Sequence, residues 1–178
     1  MKRAMSWPLL VAGTALAISA APAIPAAAAT SGTETFSGTI VFAAVPGTTT
    51  RTVLGSVVRA RGVFKGVGRF VELAQGDPTS QDDLVFPGGT LHVLSTTGAP
   101  LSPFVTNPHS CLFTGTAEFT YQVTGGTGKF AGATGNLTGT VSGRALLARN
   151  PDGSCSLAPL PFPRHEVDKF AESGTLSF

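Results

Sequence analysis

The sequence predicts an all-β fold, an antiparallel barrel or sandwich in a single domain, and three observations predict it. Twenty-one of the 22 glycines lie beyond residue 29, spread through the chain among many threonines and phenylalanines. That composition opposes helices and suits twisted strands and tight turns. Polar and apolar residues alternate with a period of two in several segments, which marks strands with one buried face. Gly and Pro punctuate these segments at short intervals, as in all-β domains.

The 178-residue chain opens MKRAMSWPLLVAGTALAISAAPAIPAAAAT, with a basic head at Lys2 and Arg3, an apolar run from Trp7 to Ala20 and small residues at Ala27, Ala28 and Ala29. This three-part plan predicts a secretory signal peptide over 1–29 and a mature domain over 30–178, hence a secreted, extracellular protein. The apolar run of about fourteen residues falls short of the ~20 needed for a membrane-spanning helix, so no membrane span is expected in the mature form. Without Lys2 and Arg3 the 12 basic residues fall to ten, against ten acidic ones. No basic field remains to attract nucleic acid or an anionic membrane.

Eight strands are predicted in order. Glu34 to Val45 (ETFSGTIVFAAV) places Phe36, Ile40 and Phe42 on one face. Thr52 to Phe64, Gly68 to Gln75, Asp83 to Pro87 and Gly89 to Thr97 follow, each bounded by Gly or Pro signals. Leu112 to Val123 alternates most clearly, with Phe113, Ala117, Phe119, Tyr121 and Val123 opposite Thr114, Thr116, Glu118, Thr120 and Gln122. Gly135 to Arg149 opposes Leu137, Val141, Ala145 and Leu147 to Thr138, Thr140, Ser142 and Arg144, and Phe170 to Phe178 closes the set.

Cys111 and Cys155 both lie in the exported part, each in a proline-rich stretch. An even count in an oxidising compartment favours one disulfide between them over two buried thiols. The bond would close a long ring and stabilise the fold by roughly 3 to 4 kcal/mol in the chain-entropy model. A metal site is not expected, because soft and imidazole ligands do not cluster, and His92, His109 and His165 are scattered.

The stretch VTGGTGKFAGATG (Val123 to Gly135) raises the question of a phosphate-binding loop. A Walker loop needs Ser or Thr after Gly-Lys, yet Phe130 follows Lys129, and Val123 stands where the first glycine should be. The dinucleotide pattern occurs as Gly126, Gly128 and Ala131, but its chemistry needs a following helix, and GATGNLTGTVSG does not make one. The glycines are therefore read as a strand connection, and no nucleotide or other cofactor is expected.

The same phrase resembles the glycine-rich signature of the allene oxide cyclase barrel family and the related dirigent proteins, G-G-T-G-x-F-x-x-A-x-G. It is matched by Gly125, Gly126, Thr127, Gly128, Phe130, Ala133 and Gly135. The resemblance implies a single antiparallel eight-stranded barrel, calycin-like, with an apolar lumen and often a trimeric assembly. The family's activities range from cyclisation of an allylic epoxide to the steering of radical coupling, so the fold does not choose a reaction.

Two functions from different classes follow. The first is a non-catalytic secreted barrel that binds or shields a small apolar ligand, with Phe36, Ile40, Phe42, Phe113, Phe119 and Tyr121 lining the lumen. Its plain alternative is that these side chains fill the barrel. The second is a cyclase or isomerase, in which Glu118 would serve as base or electrostatic stabiliser and Arg144 would hold an anionic group. Alternation sets Glu118 on the face opposite Phe119 and Tyr121, so both sets cannot line one lumen.

Overall fold

A computed structural model describes residues 30–46, 48, 50–76, 78–156 and 163–178. The expected signal peptide over 1–29 lies outside the described residues. The strands are β1 (Ser31–Ala44), β2 (Arg51–Gly62), β3 (Lys65–Ala74), β4 (Thr79–Phe86), β5 (Gly89–Pro100), β6 (Val105–Asn107), β7 (Leu112–Gly126), β8 (Thr134–Leu146) and β9 (His165–Ser177). All neighbours pair antiparallel. The order β5-β4-β3-β2-β1-β9-β8-β7 is closed by pairing of β5 with β7, giving an eight-stranded barrel. β6 is an extra edge strand of three residues laid against the start of β7. Closure satisfies the edges that an open sheet of such strands would expose.

Along each strand alternate side chains turn inward, and the inward set changes character from one end of the barrel to the other. At one end it is aromatic. Phe36, Phe64, Phe86, Phe130 and Phe178 meet ring to ring, with centroids 4.8 Å apart for Phe64 and Phe130, 5.0 Å for Phe64 and Phe86, and 5.1 Å for Phe130 and Phe178. Leu91 and Leu176 complete this plug, both essentially inaccessible to solvent. Edge and tilted contacts of this kind add roughly 0.5–1.5 kcal/mol per pair to the burial of the rings themselves.

The glycine stretch builds the plug. Its only helical feature is a single 3-10 turn, Gly128–Phe130, which drives Phe130 to full burial and brings Ala133 in behind it. Gly128 has φ 59°, and a Cβ there would collide with the carbonyl of Gly88, so glycine is required. The amides that a phosphate loop would offer are already bonded. Thr127 N donates to Thr90 O at 2.8 Å, Lys129 N to Gly88 O at 2.9 Å and Phe130 N to Thr127 O at 3.1 Å.

Cys111 and Cys155 are joined, with Cα atoms 5.3 Å apart and a sequence separation of 44. Cys111 has φ 55°, a conformation rare for a non-glycine residue. It ends a turn in which Asn107 Oδ1 accepts from the amides of His109 and Ser110, and Asn107 O accepts from Cys111 N at 2.8 Å.

Candidate functional site: an acid-lined half-lumen

Beyond the aromatic plug, a cavity of about 270 Å³ occupies the other half of the lumen. Part of its wall is apolar: Ile40, Phe42, Phe70, Leu84, Phe119 and Phe170 face it. Another part is acidic, formed by Glu72 of β3, Asp82 of β4, and Glu166, Asp168 and Glu172 of β9, with one cation, Arg51 of β2, and neutral polar side chains such as Ser95 and Tyr121 between them. Glu166, Asp168, Phe170 and Glu172 are alternate residues on one strand, so the period-two rule turns all four inward. Room for Glu172 comes from β8, where Gly139 lies opposite it. A Cβ at Gly139 would stand 2.6 Å from that of Glu172.

Arg51 organises the mouth. Its Nη2 donates to Glu72 Oε1 at 2.7 Å, its Nη1 to Glu166 Oε2 at 3.0 Å, and its guanidinium lies over the Phe42 ring, 3.9 Å from the centroid. Burial works against the Arg51 charge, but its hydrogen bond to Glu72 and the fields of Glu166, Glu72 and Asp168 outweigh it and raise its pKa.

Deeper in, Asp82 Oδ2 accepts hydrogen bonds from Ser80 Oγ at 3.0 Å and from Ser95 Oγ, while the two serine hydroxyls meet at 2.8 Å. Burial pushes the Asp82 carboxyl up, and the two serines resist that shift. Glu172 is pushed up to about 8, first by burial, with the facing Tyr121 hydroxyl opposing and Asp82 adding. Asp168 is raised to about 7 by burial and by Glu166, with Arg51 opposing. Burial, followed by Glu172 and Asp82, raises the Tyr121 hydroxyl. At Asp82, Asp168 and Glu172 the interior therefore favours the neutral form, burial outweighing the opposing field of Arg51 where that field reaches.

Of the six residues expected to line the lumen, Ile40, Phe42, Phe119 and Tyr121 face the cavity. Phe36 is 1 % exposed within the plug, and Phe113 meets Phe104 in a tilted contact, centroids 5.2 Å apart, instead of facing the cavity. Glu118 and Arg144 stand on the outer face, both exposed. Arg144 lies opposite Thr114, four residues along β7 from Glu118, or about 13 Å at the strand rise. They are neither inside the barrel nor paired with each other, which corrects the alternative reading of them as an internal acid–base pair: the alternation that turns Phe119 and Tyr121 inward turns these two outward.

The carboxylates of the lumen escaped the sequence reading. Asp82, Glu166 and Asp168 lie in the first residues of β4 and β9, outside the predicted strands. Glu172 carried a usable signal, since it shares parity with Phe170 and Leu176, both of them core residues.

Comparison of the chain with protein-family models, curated proteins and solved structures gives no match.

Proposed function

We propose that the protein is an exported, non-catalytic barrel that binds a small, largely apolar molecule in the open half of its lumen. One observation carries the reading. The aromatic plug fills only one end, leaving a cavity with an apolar wall at the other. Its volume of about 270 Å³ approaches the roughly 300–1,000 Å³ usual for small-molecule sites. The cysteine pair at bonding distance is compatible with an oxidising, extracellular compartment and supports export.

The test is binding of prodan, a neutral environment-sensitive naphthalene dye, to protein recovered from an exporting host with its disulfide intact. Phe119→Ala and Tyr121→Ala, which alter the wall, are expected to weaken the blue-shifted emission at least several-fold. Glu118→Gln, on the outer face, should leave it unchanged. Absence of any emission shift with the unaltered protein overturns the reading.

A further inference from the structure

Charge in the lumen is unbalanced. Five carboxylates face it from β3, β4 and β9 against the single guanidinium of Arg51. Arg51 sits at the mouth with Glu72 and Glu166. Asp82, Asp168 and Glu172 have no ion-pair partner among the described residues. Two of these carry a further mark. Asp82 is 5 % exposed and uses Oδ2 for both serines, leaving Oδ1 without a hydrogen-bond partner among the described residues; Glu172 is 7 % exposed and leaves Oε2 likewise. Nearly all acceptors buried to this degree are satisfied in folded proteins, so two such atoms in one cavity wall are filled by a donor that the described residues do not supply, from solvent or from a ligand that displaces it.

Resting on the lumen-binding reading, we propose that the ligand is a small organic cation, an amine on an apolar body. Its ammonium group would hydrogen-bond to the free oxygens of Asp82 and Glu172, and its body would lie against Phe70 and Phe119. An ammonium group offers three donors and no acceptor, which matches two unfilled acceptors on facing walls. A carboxylate or phosphate ligand would meet five carboxyl groups and a single cation, Arg51, already engaged by Glu72 and Glu166, and an alcohol has one proton to give where the walls offer two acceptors once Glu172 is ionised. An inorganic cation fits less well, because among the described residues no three acidic or imidazole side chains converge on a point where a metal could sit. The adjacent aromatic wall suits a carbon skeleton instead.

The protonation behaviour agrees. The titratable or charged groups facing Glu172 are Tyr121 from β7, Asp82 from β4, Asp168 and Glu166 from β9, Glu72 from β3 and Arg51 from β2. The lining residues of β1, β5 and β8 are apolar or carry only hydroxyls. With Glu172 near 8 and Asp168 near 7, the unliganded lumen limits its negative charge by holding protons. An arriving ammonium takes over that role and displaces a proton, so binding strengthens as pH rises from 6 to 8, where amines of ordinary pKa are still charged.

The experiment is calorimetric titration of three matched probes: tryptamine (cation), tryptophol (neutral) and indole-3-propionate (anion). At pH 7.5 tryptamine is expected to bind at least tenfold more tightly than tryptophol, with indole-3-propionate weaker still. Repeating the tryptamine titration in two buffers of different ionisation enthalpy should reveal net proton release, a readout that requires no variant. Glu172→Gln and Asp82→Asn should each reduce the preference for tryptamine over tryptophol about tenfold, whereas Glu118→Gln keeps it. Equal binding of tryptamine and tryptophol, or no proton release, overturns the cation proposal while leaving lumen binding intact. Prodan binding without tryptamine binding does the same, as does calcium binding lost in Glu172→Gln without tryptamine binding. If neither prodan nor any of the three probes binds, both readings fall together.

Discussion

Asp82 and Glu172 face one cavity from opposite walls: β4 and β9 stand four strands apart, in either direction, around the eight-strand barrel. Each keeps one oxygen unsatisfied among the described residues, and the negative charge of Asp82 adds to the burial that raises the pKa of Glu172. Stability should therefore depend on pH in an unusual direction.

The carboxyl of Glu172 titrates near 8 in the folded protein against an ordinary value of 4.5. Between those values the folded state holds a proton that the unfolded chain has released, so stability is full below 4.5 and falls as pH rises through 8. Asp168, raised from 3.8 to about 7, and Asp82, also raised, act with the same sign. In thermal scans without ligand, the melting temperature should drop between pH 5 and pH 8. Glu172→Gln should flatten that slope and stabilise the protein at pH 8 by about 1–3 kcal/mol, or roughly 3–10 °C. Parallel pH profiles for the two proteins would contradict the assignment.

Arg51→Met should destabilise the barrel by about 1–3 kcal/mol in urea unfolding, because it strands Glu72 and Glu166 side by side in a mouth with limited access to solvent. Adding Glu72→Gln to that variant should recover part of the loss. A double variant no better than Arg51→Met would mean that packing on Phe42, not charge, was what Arg51 supplied.

Replacing both cysteines by serine should cost about 3–4 kcal/mol at 25 °C, the loop-closure value for a ring of this size. The disulfide tethers the turn ending at Cys111 to the loop around Arg149 and Cys155, outside the barrel wall. Prodan binding should therefore survive the replacement at temperatures where the variant remains folded.

Phe130→Ala should cost about 3–5 kcal/mol by removing the ring on which Phe64, Phe86 and Phe178 converge. Circular dichroism should show the strand signal retained at low temperature and the unfolding midpoint lowered. An unchanged midpoint would mean that the glycine stretch does not plug the barrel in solution.

Much of the barrel was legible in the sequence, because all eight barrel strands contain at least one run of alternating or β-branched residues between glycine or proline signals. β6 was not legible: three residues in a stretch holding Pro100, Pro103 and Pro108 carry no period to read. The acidic half of the lumen was lost for a different reason. Alternation identifies a buried face by its apolar residues, and at the starts of β4 and β9 the inward residues include Ser80, Asp82, Glu166 and Asp168, so the rule sends the wrong side to solvent. The same rule worked for Phe119 and Tyr121, whose strand has threonines outside, and by working there it placed Glu118 outside the barrel. Parity with known core residues would have recovered Glu172; Asp82 and Asp168 needed the register.

β1 pairs with β2 on one side and with β9 on the other, and the last ladder is fastened by reciprocal bonds between Thr30 and Phe178, 2.8 and 3.0 Å long. This sets an order of events for a chain that emerges from its N-terminus. β1 can form a hairpin with β2 early, but its second edge stays open until residues 166–177 arrive, more than 120 positions later in the sequence. Closure is thus the last step and a slow one, since it waits on the most distant contacts in the molecule. Until then an unpaired strand edge beside Phe36 and Phe42 is the surface on which two unfinished chains would stick together, and crowding at high expression should show itself as aggregation of nascent protein before it shows any effect on the finished barrel.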